Sequence, residues 1–265
     1  MKKRIIICPP TYFDIQYEIN PWMNTAKKVD PSGALAAYTS LRNTYLSLPV
    51  ELHEAVPEAD LPDMVYAADW GYAENGVFIP ANFRYAERRR EANVAAELMQ
   101  KKFGFSIQRL PEGIFFEGHG DLVETPTRFF IGYGFRSSFE AGAELQKFVS
   151  NPVFSIHLIN PFFYHLDTCF AALGDDVALV NKSAFAPESL ELIEKSFKEV
   201  IFTSDEDNKV MAHNLVIVGN DLICAKGISE QLKKRLEGLG YRLHEIDTVE
   251  YRKGGGSVKC MSFEF

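Results

Sequence analysis

The sequence offers little to support a membrane anchor, a metal centre or a disulfide framework. It contains no apolar run near the ~20 residues that a membrane span requires. Its four cysteines (Cys8, Cys169, Cys224 and Cys260) are scattered along the chain, which predicts reduced thiols in the cytoplasm rather than disulfides. Neither CxxC nor HExxH occurs, so structural zinc and a zincin site are not predicted, and we expect no metal and no cofactor.

Positive charge is also in short supply. The chain carries 28 Lys and Arg against 36 Asp and Glu, a formal net charge of -8. Because nucleic-acid binding needs basic clusters, this balance argues against a nucleic-acid partner. The one basic run, residues 88–90, has Glu87 and Glu91 beside it and predicts a solvated helix face.

What the sequence does contain is many short strand-like runs separated by a few helical ones. The 265 residues are 46% hydrophobic, enough to bury a sizeable core. Helical patterns are expected near 32–48, 86–103, 138–149, from about 187, and 229–239. Strands are expected at 4–8, 50–55, 64–68, 76–80, 105–110, 114–116, 128–132, 154–158, 168–173, 177–180, 199–202, 215–218, 222–225, 242–245 and 258–263.

This order suggests an α/β fold made as a ring of five ββαβ units. No composition shift or long linker divides the chain, so we expect a single catalytic domain over residues 1–265. The alternative is a two-domain α/β protein divided near residues 150–153.

The C-terminal residues 254–265 run from three glycines into an apolar segment that carries Cys260. Glycine permits positive φ and close backbone approach, so the triplet could wrap round a ligand with a reactive thiolate at its rim. An ordinary buried cysteine in a terminal strand is the plainer alternative.

Acidic residues and a histidine stand in three further places that packing does not explain. Asp63 and Asp69 flank an apolar run six residues apart, and would share a face if the run were a regular strand. Glu117 directly follows an aromatic run; His119, between glycines, is expected to be solvated. His165 and Asp167 lie two apart in an apolar segment, so both could point at one cavity. The plainer alternatives are that Asp63 and Asp69 are turn residues, that Glu117 is exposed, and that His165 is a core histidine with its hydrogen bonds satisfied.

A cysteine, a histidine and a carboxylate together can support nucleophilic catalysis. Extra carboxylates suit a cationic substrate, because guanidinium N–H groups match carboxylate oxygens in pairs. The pattern therefore favours attack by sulfur on a planar, positively charged carbon.

The sequence resembles the guanidino-group modifying enzymes: arginine deiminases, dimethylarginine dimethylaminohydrolases, amidinotransferases and, closest overall, arginine dihydrolases. The resemblance covers nearly the whole chain and is carried by six motifs in order: YEINPWM at 17–23, DMVY at 63–66, FRYAER at 83–88, FEGHGD at 116–121, HLD at 165–167 and GGSVKC at 255–260. It implies the five-bladed α/β propeller called the pentein fold, in agreement with the count of units.

The resemblance also implies roles for particular residues. Cys260 would be the nucleophile, His165 the acid and base, and Glu117 the residue that orients His165. Asp69 and Asp167 would grip the guanidinium, and the substrate's amino-acid end would be received by three residues: Asn20, Arg84 and Arg136. Surface ion pairing is the alternative for both arginines.

Two details narrow the reaction that the resemblance implies. Asp167 favours an unsubstituted guanidinium, because dimethylarginine hydrolases lack this second aspartate. Asp69 favours release after one hydrolysis, because members that hydrolyse arginine twice carry Asn there. We therefore expect a deiminase-type, cysteine-dependent hydrolase of a guanidinium C–N bond in arginine or an arginine-like small molecule, acting through a covalent thiouronium intermediate. A homo-oligomer is one option for its assembly. A dihydrolase, a dimethylaminohydrolase, an amidinotransferase and a catalytically silent binder of a cationic amino acid remain alternatives.

Overall fold

Short strands and helices follow one another along residues 2–265, the part of the chain that this computed structural model describes. The strands are β1 Lys3–Ile7, β2 Val50–Glu54, β3 Gly71–Glu74, β4 Val77–Pro80, β5 Ser106–Ile107, β6 Leu122–Glu124, β7 Phe129–Tyr133, β8 Val153–His157, β9 Phe170–Ala172, β10 Val177–Val180, β11 Glu199–Phe202, β12 Val216–Val218, β13 Asp221–Ala225, β14 Arg242–Ile246 and β15 Phe263–Glu264. The α-helices are α1 Pro31–Leu46, α2 Arg89–Phe103, α3 Gly118–Asp121, α4 Ala141–Leu145, α5 Pro187–Ser196, α6 Asp205–Lys209, α7 Glu230–Gly238 and α8 Val249–Arg252.

The strands of the described chain form five three-stranded sheets, ordered β15-β1-β2, β3-β4-β5, β6-β7-β8, β9-β10-β11 and β12-β13-β14. The central strand of each sheet pairs antiparallel with the first strand of that order. Its pairing with the third strand is parallel at β1–β2, β4–β5, β7–β8 and β13–β14, with a helix between the two strands in the chain. The predicted α/β fold of five ββαβ units is thereby confirmed.

The chain divides into two compact units, with the boundaries at Ala67/Ala68 and Ile201/Phe202 rather than near 150–153. The first unit holds the sheets β15-β1-β2 and β12-β13-β14. Its core packs α1, through Leu41 and Tyr45, with strand residues such as Ile5 and Ile223. Strand β15 pairs with β1 within this unit, with Ile5 opposite Glu264 and Ile6 opposite Phe263.

The second unit, Ala68–Ile201 with Phe265, holds the other three sheets. One of its cores is aromatic: Phe130 packs against Phe170 and Phe197, with ring centroids 5.3 and 5.4 Å apart. A second core contains Phe116 and Ile131. Within residues 2–265, no helix combines the length and the apolar character needed to cross a bilayer.

Helix ends follow the signals in the sequence. Asp30 caps α1 by accepting hydrogen bonds from the backbone N–H groups of Ser32 and Gly33, and Pro31 occupies the first turn. Gly104 ends α2 in the left-handed conformation, with φ +76°. The helix expected over 138–149 is shorter than predicted and spans Ala141–Leu145.

Several predicted strands are wrong in whole or in part. Of the run 105–110 only Ser106–Ile107 is a strand, and of the run 168–173 only Phe170–Ala172. The run 64–68 forms 3₁₀ turns, Pro62–Val65 and Ala67–Trp70, in which i→i+3 bonds satisfy the backbone, so the same-face argument for Asp63 and Asp69 does not hold. The run 114–116 contributes an isolated bridge between Phe116 and Asn82. Of the run 258–263, residues before Phe263 form turns instead.

Candidate active site

His165 and Glu117 form a buried pair in the second unit. His165 precedes the 3₁₀ turn Leu166–Thr168, and Glu117 precedes the short helix α3. The Nε2 atom of His165 lies 2.8 Å from the Oε2 atom of Glu117, and neither side chain is more than 1% exposed. The predicted contact between these two residues is therefore present, although Glu117 follows an isolated bridge and His165 precedes a 3₁₀ turn, so neither lies in a strand.

Arg136 holds the same carboxylate from another side. Its Nη1 atom lies 2.8 Å from Oε2 of Glu117, and its guanidinium stacks on the rings of Tyr85 and Tyr164 at 4.8 and 4.5 Å. Burial alone would raise the pKa of Glu117, but Arg136 and His165 hold that pKa well below its usual range. Surface ion pairing, the alternative for Arg136, is wrong because the side chain is buried.

Asp69 approaches the other ring nitrogen of His165. Its Oδ1 atom lies 3.7 Å from Nδ1, beyond hydrogen-bond length. Gly120 makes this approach possible, since a Cβ there would lie 2.5 Å from Oδ1 of Asp69 and 2.8 Å from Nδ1 of His165. Burial lowers the pKa of His165, but the carboxylates of Asp69, Asp121 and Glu117 more than offset it and raise the pKa to about 9.

Arg88 is the partner of Asp69 that the sequence analysis missed. Its Nη1 atom lies 2.5 Å from Oδ2 of Asp69, while Nε and Nη2 bond both carboxylate oxygens of Glu91. The prediction that the run 88–90 forms a solvated face is wrong for Arg88, which is buried over the ring of Phe83. The signal that was available is Glu91 three residues on, which can pair with Arg88 on one helical face.

Asp121 links the backbone segments that carry these residues. Its Oδ1 atom accepts a bond from the N–H of Leu166, next to His165, at 3.2 Å. Its Oδ2 atom accepts from both the N–H and the hydroxyl of Ser137, next to Arg136. The Ser137 hydroxyl in turn accepts from the N–H of Glu117 at 3.0 Å. Burial raises the pKa of Asp121 to about 6.

Arg84 and Asp167 also lie in the second unit. The backbone N–H of Arg84 donates to Oε1 of Glu117 at 3.1 Å, its Nε donates to the carbonyl of Arg136, and its guanidinium lies over Phe115. Asp167 is buried in the turn after His165 rather than in an extended segment.

Cys260 lies in the first unit, in a turn rather than in the predicted strand. Its Sγ atom lies 3.1 Å from Nδ2 of Asn214, a second residue that the sequence analysis did not single out. The glycines before Cys260 pack against an aromatic ring. A Cβ on Gly254 would lie 2.1 Å from Oη of Tyr66, and one on Gly256 would lie 2.5 Å from Cε1 of that ring. Close packing therefore explains these two glycines without a ligand.

Three other residues singled out in the sequence make contacts away from the Cys260–Asn214 pair. Asn20, in the first unit, donates from Nδ2 to the carbonyl of Gly254 at 3.0 Å. Asp63 accepts a hydrogen bond from the hydroxyl of Tyr17. His119 is buried with its ring edge-on to Tyr72, so the expectation of a solvated histidine is wrong.

The structure thus brings most of the predicted residues together in the second unit, namely His165, Glu117, Asp69, Asp167, Arg84 and Arg136, whereas Cys260 and Asn20 belong to the first. No group of three or more His, Cys, Asp and Glu side chains among residues 2–265 is arranged to hold a metal ion. In the second unit, the imidazole of His165 can hold a proton at neutral pH. The first unit supplies the thiol of Cys260.

Comparison with known proteins adds independent evidence. A family described as N,N dimethylarginine dimethylhydrolase, eukaryotic, matches residues 14–265. The N(G),N(G)-dimethylarginine dimethylaminohydrolase of Mycobacterium tuberculosis is 34% identical over 265 residues, which cover 99% of this chain and 85% of the relative. The bifunctional arginine dihydrolase/ornithine cyclodeaminase ArgZ of Synechocystis sp. is 32% identical, and the match covers 98% of this chain but 37% of that longer protein.

Solved structures agree with these relatives. The N-terminal domain of ArgZ, covalently bound to a reaction intermediate, superposes with a TM-score of 0.94 at 30% identity, covering 99% of this chain and 97% of that one. The dimethylarginine dimethylaminohydrolase of Pseudomonas aeruginosa, complexed with citrulline, has a TM-score of 0.81 at 24% identity over the whole of both chains, which shows the fold alone.

These matches confirm the predicted superfamily and its pentein fold. They also confirm a hydrolase that cleaves a guanidino C–N bond through a covalent intermediate. The chain therefore belongs to the dimethylarginine dimethylaminohydrolase family.

Proposed function

We propose that the protein hydrolyses the guanidinium of arginine, with Cys260 as the nucleophile and His165 as the acid and base. The observation that carries this proposal is His165, buried with Glu117 at one ring nitrogen and Asp69 near the other. These carboxylates keep the pKa of His165 at about 9, so its imidazole is protonated at neutral pH. A protonated imidazole suits a reaction whose leaving group is an amine.

In the first step, the Cys260 thiolate attacks the guanidinium carbon and forms a C–S bond. His165 gives its proton to the departing nitrogen as the C–N bond breaks, so ammonia leaves and a thiouronium remains on Cys260. Glu117 stays ionised throughout, because Arg136 pairs with it, and it holds the imidazole in one orientation.

In the second step, water attacks the thiouronium carbon. His165, now neutral, accepts one proton as the water adds, and the second proton passes to the released ammonia to give ammonium. The C–S bond breaks to return the thiolate and release citrulline. The sum is arginine plus water giving citrulline plus ammonium, and His165 ends in the protonated state in which it began.

Five residues are proposed to bind the substrate. Asp69 and Asp167 grip the guanidinium, and its amino-acid end is received by Asn20, Arg84 and Arg136. Arg88 fixes one oxygen of Asp69, which orients the other oxygen toward His165. The whole of residues 1–265 is proposed to act as one catalytic domain of a cytoplasmic protein, with a homo-oligomer as one option for its assembly.

A methylated arginine is the second candidate substrate, favoured by the family match over residues 14–265. The reaction would be the same, with a methylamine leaving in place of ammonia. A dihydrolase, favoured by the TM-score of 0.94 to the ArgZ domain, would hydrolyse the ureido product again and release ornithine.

The test is product analysis by mass spectrometry after incubation with arginine, methylated arginines and agmatine. Citrulline and ammonia from arginine support the proposal. Turnover of methylated arginine alone, or ornithine as the main product, would replace it by one of the alternatives. Cys260→Ser should abolish turnover, while Cys224→Ser, a change at another buried thiol, should leave it intact. Binding of arginine without any product would mark a catalytically silent protein, and product that requires an added amine would mark an amidinotransferase.

A further inference from the structure

Asn214 makes three hydrogen bonds to the two residues at the thiol. Its Nδ2 atom donates to Sγ of Cys260 at 3.1 Å, and its Oδ1 atom accepts from the backbone N–H of Cys260 at 3.1 Å. Its backbone carbonyl accepts from the N–H of Lys259 at 3.4 Å. Asn214 and Cys260 are both buried, so water does not compete for these contacts.

The backbone decides which end of the amide faces the sulfur. The N–H of Cys260 can only donate, so it must meet the oxygen of the Asn214 amide, and the NH₂ group is left facing Sγ. Sulfur is therefore the acceptor in this contact. A thiolate accepts a hydrogen bond more strongly than a thiol does, so the contact favours the ionised form.

A strained turn delivers Asn214 to this position. Met211 is buried with φ +56°, a left-handed conformation that non-glycine residues seldom adopt. The N–H of Asn214 donates to the carbonyl of Met211 at 2.9 Å, which fixes the turn. Such strain persists where the surrounding structure requires a particular backbone path, and is common at functional sites.

We infer that Asn214 is a positioning residue for the nucleophile, which orients Cys260 and stabilises its thiolate. The inference rests on the proposed function, in which Cys260 attacks the substrate. Within the first unit the charged groups nearest in sequence are already engaged: Lys259 pairs with Glu264, and Glu264 also pairs with Lys3. The amide of Asn214 is a side-chain donor of this unit that directly touches the sulfur.

The experiment measures the ionisation of Cys260 without turnover. Thiolate ultraviolet absorbance is followed against pH, with Cys260→Ser as the blank, and iodoacetamide labelling at Cys260 is followed by peptide mass spectrometry. Asn214→Asp keeps the shape but replaces the NH₂ donor by an anionic oxygen, and Asn214→Leu removes all side-chain hydrogen bonding. In both variants we expect the pH midpoint of Cys260 to rise by about one unit or more, with labelling near neutral pH slowed roughly tenfold.

Asn208→Leu is the matched control. Asn208 is a buried amide of the same unit that accepts from the hydroxyl of Thr203. This control should leave the Cys260 midpoint unchanged, and thermal unfolding shows which variants are folded. A folded Asn214→Asp or Asn214→Leu protein with the wild-type midpoint would overturn the inference, even if its turnover were low.

A measurement on the wild-type protein covers the case in which no Asn214 variant folds. The side-chain amide signal of Asn214 in the ¹⁵N-labelled protein should move with pH at the Cys260 midpoint, and should lose that movement in Cys260→Ser. If the chemical shift of this amide signal did not change at the pH midpoint of Cys260, the inference would be overturned. Because neither readout needs a substrate, failure of the proposed function and failure of this inference are separate results.

Discussion

The Nε2 atom of His165 lies 2.8 Å from Oε2 of Glu117, and both side chains are buried. A buried carboxylate at this distance favours the charged imidazole, provided that the carboxylate itself stays ionised. Arg136 meets that condition, because it bonds the same oxygen at 2.8 Å. The proton on His165 therefore depends on a chain of three residues, each of which can be altered separately.

The first prediction concerns the titration of His165. Its pKa should be about 9 in the wild-type protein, as measured by NMR of the ring protons. Asp69→Asn and Glu117→Gln each remove a negative charge near the ring, so both should lower this pKa. The matched control is Asp221→Asn, which removes a carboxylate bonded to His244 instead and should leave His165 unchanged. A wild-type pKa at or below 6.5, the ordinary value for histidine, would contradict the prediction.

The second prediction is the effect of His165 on stability against pH. Its folded pKa of about 9 lies above the ordinary value of 6.5, so its stabilising effect is complete below pH 6.5 and is lost as pH rises through 9. Comparison of wild-type protein with His165→Gln by urea unfolding should show a difference in free energy that shrinks by roughly 3 kcal/mol across this window, at about 1.4 kcal/mol per pKa unit. If the difference in unfolding free energy between the two proteins grew as pH rose, it would contradict a raised pKa of His165 in the folded state.

The third prediction is that Arg136→Leu destabilises the protein strongly. Without Arg136, the carboxylate of Glu117 stays buried with its main cationic partner removed, which costs about 3–5 kcal/mol in unfolding free energy. Adding Glu117→Gln removes the uncompensated charge and should recover part of the loss. Arg242→Leu is the control, because its ion pair with Asp221 has an arginine side chain that is 74% exposed and should contribute no more than about 1 kcal/mol.

The fourth prediction concerns the close packing of Gly254, which precedes Cys260 in the chain, against Tyr66. Gly254→Ala should destabilise the protein by about 1–3 kcal/mol, because its Cβ would overlap the hydroxyl of Tyr66. In a Tyr66→Phe background the penalty should be smaller, since the nearest remaining ring atom would be 3.0 Å away.

Gly238→Ala is the control for that series. Apart from its chain neighbours and the backbone of its own helix, no heavy atom of residues 2–265 lies within 4 Å of the Cβ that it would add, and Gly238 ends helix α7. The change should be neutral or stabilising by up to about 1 kcal/mol. Equal penalties for Gly254→Ala with and without the Tyr66 hydroxyl would show that the close packing is not the cause.

Much of the fold could be predicted because its units are local. Strands such as Val177–Val180 and Glu199–Phe202 have apolar runs bounded by turn residues, and were predicted at these positions. Gly71–Glu74 and Leu122–Glu124 were missed, since each is short and ends in polar residues. The run after Asp63 was mistaken for a strand because it is buried on every side, which hides the difference between a strand and a 3₁₀ turn.

The site could be predicted where ionisable residues stand next to apolar runs within motifs, as His165 and Glu117 do. It was not predictable where the function of a residue depends on contacts distant in sequence. The sequence around Arg88 is typical of a surface arginine, whereas in the structure Arg88 bonds Asp69. Asn214 lies 46 residues from Cys260, in a turn without periodicity. The spacing of Arg88 and Glu91 was a local signal for an ion pair but did not indicate burial, and the residues around Asn214 offered no signal at all.

During turnover, the substrate should become covalently attached to Cys260. The direct measurement is rapid acid quenching of the protein during turnover of arginine, followed by mass spectrometry of the intact chain and of its peptides. We expect an adduct with the mass of arginine less ammonia on the peptide that carries Cys260. An adduct on another cysteine, or full turnover by Cys260→Ser, would contradict it.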